Sequence, residues 1–246
     1  MKNWFQSSGA VACAVSVAFV GIGLMRSDAP PVRAEAMERH EVRCDTQNNS
    51  VLSSDPADAK LACGGVHDAI DFLSAQGFDI VNGVSIVIVP KLPLAGRDSA
   101  AGLYLDSTAG CNSESAREVQ VLSFSAFKKF KNWFHIPIDA SLYRSLVVHE
   151  VAHAISACNF KVAMPSIQAQ EYIAYVTMFA VMAPAIRERI LKQYPGHGYD
   201  GDWQMSTTIY LLDPMRFGVQ AYRHFLKPAN GRSYWRAILA GEVMIE

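Results

Sequence analysis

Asp139-Ala-Ser-Leu-Tyr-Arg-Ser-Leu-Val-Val-His-Glu-Val-Ala-His-Ala-Ile-Ser-Ala-Cys158 decides how the chain is read. Asp139 is a helix N-cap, because its short carboxylate can accept from the free N–H groups of a first turn. Leu142, Leu146, Val147, Val151 and Ile155 recur at helical spacing, and no Pro or Gly interrupts them. The segment is therefore a helix, and its C-terminal half carries the pentad His149-Glu150-Val151-Ala152-His153. Residues four apart on a helix share a face, so both imidazoles point the same way and can hold one metal ion. Glu150 beside them is the expected general base. A polar patch on a surface helix is the plain alternative, but an apolar helix carrying two His and a Glu near its core side is costly unless those groups find partners.

A catalytic zinc takes three protein ligands and keeps one position open. Glu171, eighteen residues after His153, is the candidate third ligand. It lies in Pro165-Ser-Ile-Gln-Ala-Gln-Glu-Tyr-Ile-Ala-Tyr-Val-Thr-Met-Phe-Ala-Val-Met182, an apolar stretch that reads as a second helix capped by Ser166. Residues 159–165 form the turn between the two, which makes them an antiparallel pair. The competing roles for Glu171 are a hydrogen bond to His149 or exposure to solvent. His224, on a later helix beside Tyr222 and Arg223, is a rival third ligand, although a helical His is more often a satisfied structural residue.

The pentad followed by a helix-borne Glu at this distance resembles the gluzincin class of zinc metallopeptidases, over roughly residues 139–182. The resemblance implies zinc held by His149, His153 and Glu171, with Glu150 as base. Its size and single pentad also look like small exported bacterial proteins. Two positions depart from the class: where it often has Asn before the ligand Glu and an acidic residue four positions after it, this chain has Gln170 and Tyr175. The partner that orients a ligand His is thus unassigned; Tyr175, near Glu171 on the same helix, could hydrogen-bond around the zinc or serve core packing. The metzincin class is excluded, since it needs Gly and a third His where Ser156 and Asn159 stand. In such enzymes an extended peptide commonly pairs with the sheet strand nearest the site, which here implies strand 118–124.

The N-terminus reads as a targeting segment. Met1-Lys2-Asn3 is a short basic start, residues 8–25 are apolar, and Val32-Arg33-Ala34 resembles a cleavage site before Glu35. Residues 1–34 are a signal peptide or an uncleaved N-terminal anchor, and residues 35–246 form a single zincin-like domain. Cys13 sits too early in the apolar run for a lipoprotein. Either reading places the domain in the periplasm or outside the cell, or anchored and facing the periplasm. Cys44, Cys63, Cys111 and Cys158 remain, an even number that suits disulfides in an exported domain. Cys44–Cys63 and Cys111–Cys158 are the expected pairs; buried free thiols are the alternative.

The rest of the chain supplies an α+β fold. A strand is expected at 39–45, a helix from Pro56 to Gly77 with Leu61, Val66, Ile70 and Leu73 facing inward, and strands at 84–90, 102–106 and 118–124. Phe127, Phe130 and Phe134 in the run 127–134 share a face if that run is helical, either as core or as a membrane or partner patch. Helices at 186–194, 214–226 and 233–240 complete a small sheet with an early helix, followed by a helical second half. The Gly-rich loop 196–203 is a plain turn or a lid, in which His197 or Tyr199 could donate to an oxyanion. A net charge of −1 gives no sign of nucleic-acid binding. The expectation is a zinc-dependent hydrolase, a peptidase acting on peptides or proteins. The alternative is a non-catalytic exported binding or assembly protein on the same scaffold.

Overall fold

The computed structural model describes residues 38–44, 48–80, 83–92, 102–104 and 117–244. Residues 1–34, read above as a signal peptide or anchor, and Cys13 and Cys111 lie outside these residues. All that is described belongs to one compact unit, Met37–Glu246, and none of its helices is long and apolar enough to cross a membrane.

The first half is strand-rich. Strand β1 (His40–Arg43) runs antiparallel to β2 (Ser50–Ser53), and helix α1 (Pro56–Gln76) follows. Strands β3 (Val84–Val89), β4 (Gly102–Tyr104) and β5 (Arg117–Leu122) complete a mixed sheet in the order β1-β2-β3-β5-β4. β2, β3 and β5 are parallel, while β4 is antiparallel to β5 and forms an edge. This corrects one expectation: β5 has neighbours on both sides, so its backbone is already paired and it cannot receive a peptide. Among the described residues, the outer strand nearest the pentad helix is β4. β2 was not foreseen, because four residues between an Asn-rich turn and Asp55-Pro56 are too few to show alternation.

α1 begins as its sequence dictates. Asp55 accepts from Ala57 N at 2.8 Å, and Gly77 ends the helix at φ 89°, a conformation open to glycine. Val66, Ile70 and Leu73 are buried and Leu61 is half-buried. Gly64 and Gly65 in mid-helix cost propensity, roughly 1 kcal/mol each against Ala. They allow a close crossing, since a Cβ on Gly65 would sit 2.9 Å from Val147. The disulfide Cys44–Cys63 ties the end of β1 to α1. Cys158 is disulfide-bonded too, and Cys111, its expected partner, lies outside the described residues.

The run 127–134 is not a helix. Helix α2 (Phe124–Phe127) passes into a 3-10 turn at Lys128–Phe130 and then into a hairpin of β6 (Asn132–Trp133) and β7 (Ile136–Pro137). Phe134 and His135 form its two-residue turn with φ of 52° and 60°, the backbone sense that matches strand twist. Phe127 and Phe134 are buried, but Phe130 is 40% exposed, so the three do not share a face. Helical periodicity lost here to burial of the Phe134 ring among Trp133, Tyr175, Phe179 and Tyr194.

The second half is helical: α3 (Ala140–Ala157), α4 (Ile167–Val181), α5 (Pro184–Gln193), α6 (Thr207–Leu212), α7 (Pro214–Phe225) and α8 (Gly231–Ala240). Asp139 and Ser166 cap α3 and α4 as read, accepting from Leu142 N and Ala169 N. All five residues of the apolar stripe are buried. α3 and α4 are covered on nearly every side, as helices apolar all round must be, by α1 and the sheet on one flank and α7 on the other. α6 was missed; it is a six-residue helix with no buried residue.

Lys131 carries a conformation unfavourable to a side chain, φ 64° and ψ −53°. Its N–H donates to Lys128 O and its carbonyl accepts from Ile138 N, which locks it. Such strain costs roughly 1–3 kcal/mol. Lys131→Gly is expected to raise the stability measured by urea unfolding by about 1 kcal/mol, after the entropy loss glycine brings; a lower midpoint would contradict this account of the turn.

Candidate metal centre

One turn of α3 and the first half of α4 face each other at the site. His149 Nε2 lies 3.2 Å from His153 Nε2. Glu171 Oε2 is 3.4 Å from His149 Nε2, and Oε1 is 3.6 Å from His153 Nε2. One ligand atom from each residue falls within 4.8 Å of the others, so the three can hold a metal ion. Two imidazoles and a carboxylate form a donor set that suits zinc. A second observation supports the fit: Glu171 Oε2 is buried and accepts no hydrogen bond. A buried carboxylate oxygen without a donor is unfavourable, and a cation at this point would satisfy it.

The electrostatics follow from burial and proximity. Burial pushes the Glu150 carboxyl up to about 7, against the pull of His149. Burial also pushes His153 down to about 4. Burial opposes the charge on Glu171 as well, but His153, His149 and a hydrogen bond from Tyr210 together hold its carboxyl down to about 2. Burial opposes the charge on His149 too, but the neighbouring Glu171 carboxylate and then Glu150 together outweigh it and shift His149 up. The centre thus keeps a carboxylate charged and one imidazole neutral, both states a metal requires of its ligands.

Glu150 is buried against the sheet. A Cβ on Gly102 would overlap its carboxylate, so the β4 backbone passes close to Glu150 and a side chain at 102 would have to displace it. Nothing in the sequence around Gly102 signals this approach; it is set by β4 crossing α3.

The other candidate residues divide. Tyr175 is at the site: its buried ring lies 4.4 Å from the His149 ring, and α7 presses on it from behind, since a Cβ on Gly218 would meet the Tyr175 ring. It braces His149 by packing. His149 Nδ1 is buried with no hydrogen-bond partner, so the orienting acid of the gluzincin pattern has no substitute at that atom. Gln170 is occupied by Pro165 O at 3.1 Å. His197 and Tyr199 are not brought to the centre. His197 is exposed and paired with Asp200 at 3.2 Å, and Tyr199 packs on Phe217. Both instead line a cavity of about 430 Å³ with Trp203, Ile209 and Arg216, which contains none of the three ligands nor Glu150. His224 is a satisfied structural residue: its Nδ1 meets Tyr172 Oη at 2.8 Å, and burial pushes it down to about 4. Tyr172 and Glu171 are adjacent, yet they serve opposite sides of α4.

Sequence reasoning missed Tyr210. Its hydroxyl donates to Glu171 Oε1 at 2.9 Å. It stands 39 residues from its acceptor on a helix too short to read, so no local pattern could have pointed to it.

The chain belongs to a family of unknown function (DUF6639), whose pattern it matches over residues 49–246, so the family spans α3, α4 and α6 together. No curated protein and no solved structure matches it significantly.

Two results are expected of this arrangement. Glu171→Ala weakens zinc binding by more than the roughly 10–100-fold typical of losing an outer partner, while His224→Ala leaves it unchanged; the reverse order would refute the ligand assignment. His224 is neutral when folded at about pH 4 and above, whereas an ordinary His takes its proton near 6.5. The unfolded chain therefore gains this proton first on acidification, and the stability that neutral His224 contributes, complete above about pH 6.5, is lost as pH falls to about 4. His224→Gln is expected to flatten that part of the stability profile in urea titrations, and an unchanged slope would contradict it.

Proposed function

We propose that the protein is a zinc-dependent peptidase of the gluzincin type, acting outside the cytoplasm. The observation that carries this reading is the position of Glu150, buried on the turn that carries both histidines and against the glycine of β4. Zinc bound by His149, His153 and Glu171 would supply a polarised carbonyl and an acidified water. Glu150 is the group that takes the water proton and passes it to the leaving amine. A carboxyl held at about 7 by burial is matched to that task, because a base works best with a pKa near the working pH. Among the described residues β4 is the outer strand beside the pentad helix, to whose edge an extended peptide can add by main-chain hydrogen bonds. Gly102 then sets the distance between that strand and the base. The basic–apolar N-terminus and the Cys44–Cys63 disulfide support export to an oxidising compartment.

The unsupported Nδ1 of His149 favours a second reading, an exported binding or assembly protein that keeps the metal without turnover. One experiment separates them: measure zinc in the purified exported domain and offer it a mixed peptide library, beside Glu150→Gln. The peptidase reading requires about one zinc per chain and cleavage abolished in the variant. Zinc without cleavage supports the binding protein, and no zinc after reconstitution refutes both. Gly102→Ala adds a sharper arm. Its methyl group must displace Glu150 or β4, so cleavage should fall by at least about 100-fold, as when a catalytic base is misplaced, while zinc stays bound. Full activity in Gly102→Ala would contradict the placement of the base.

A further inference from the structure

Helix α6 is short and lies at the surface. Six residues are too few for a helix to be stable alone, and none of them is buried. Ile209, Leu211 and Leu212 are 42%, 61% and 77% exposed. Ser206 caps it through Ile209 N, and Thr207 Oγ1 donates to Gln168 Oε1 at its start. Tyr210 reaches inward from its middle. The Tyr210 ring meets the edge of Phe217 at 5.6 Å, and the hydroxyl reaches Glu171 Oε1. That bond takes one carboxylate oxygen and leaves the other, Oε2, without a donor and facing His149.

We propose that Tyr210 is a positioning residue: its hydroxyl fixes the Glu171 carboxylate so that Oε2 is presented to the metal, and the same hydrogen bond latches α6 onto the centre. This rests on the reading of His149, His153 and Glu171 as metal ligands. Outer partners that hold a ligating carboxylate typically contribute 10–100-fold to metal affinity. Linkage makes the effect reciprocal: if a docked α6 strengthens zinc binding, then bound zinc strengthens the docking of α6 by a comparable factor. Zinc loading is thereby connected to a surface helix whose outward face is apolar and whose Ile209 also lines the cavity with Trp203.

The hydroxyl can be tested apart from the ring. Tyr210→Phe keeps the packing on Phe217 and removes only the donor. Zinc affinity, read by competition with a chelator, should fall about 10–100-fold. Tyr172→Phe, next to Glu171 but bonded to His224, should leave it unchanged. Hydrogen exchange of amides 207–212 should slow on adding zinc to the wild type, and this slowing should vanish in Tyr210→Phe; a residue that merely supports the fold would not make α6 respond to zinc. Equal zinc affinity in Tyr210→Phe and wild type, or wild-type exchange in α6 indifferent to bound zinc, would overturn the proposal. A wild type that binds no zinc would overturn it together with the metal reading, a result distinct from a wild type that binds and a variant that binds equally.

Discussion

A carboxylate on one apolar helix faces two imidazoles on another, and the rest of the molecule is arranged around keeping that contact. Burying Glu171 on α4 without partners would be prohibitively unfavourable. His149, His153 and Tyr210 hold its charge in place. α3 and α4 must therefore meet in one register, at the turn where the pentad sits. Each supporting element adds to that constraint. Gly65 lets α1 press on α3 from the far side, Gly218 leaves room for Tyr175 to press on His149, and α6 sends in Tyr210.

The sheet plays a different part. Its parallel centre, β2, β3 and β5, is buried scaffolding, while β4 is an antiparallel edge laid across the pentad helix. This gives the centre two unlike walls. On the α4 side are the third ligand and its tyrosine. On the β4 side are the outer strand of the described sheet and, against Gly102, the carboxyl of Glu150. The candidate ligands and the Glu150 carboxyl thus meet different neighbours around one helical turn.

The helical frame was largely legible because it is local. Asp139, Ser166 and Asp55 cap the helices their sequence marks, and the His149–His153 spacing needs only helix geometry to converge. Glu171 was legible because a lone charge on an apolar helix demands a partner. Features set by distant contacts were not. β4 is an edge only because of how β5 pairs. The hairpin at Phe134 overrides a helical pattern because its ring completes an aromatic cluster assembled from α4 and residue 194. Tyr210 finds Glu171 across 39 residues of sequence. His197, Tyr199 and His224 have the right chemistry for a site but different neighbours, and residue type alone could not tell them from Tyr175.

The role proposed for the buried triad is to hold a metal. The decisive measurement is a crystal structure of the zinc-loaded protein with anomalous data at the zinc edge. A metal-holding triad requires a single strong peak bounded by both pentad imidazoles and Glu171, at about 2.0–2.2 Å from each ligand atom. A peak elsewhere, or a triad that stays closed on itself in the presence of saturating zinc, would contradict it.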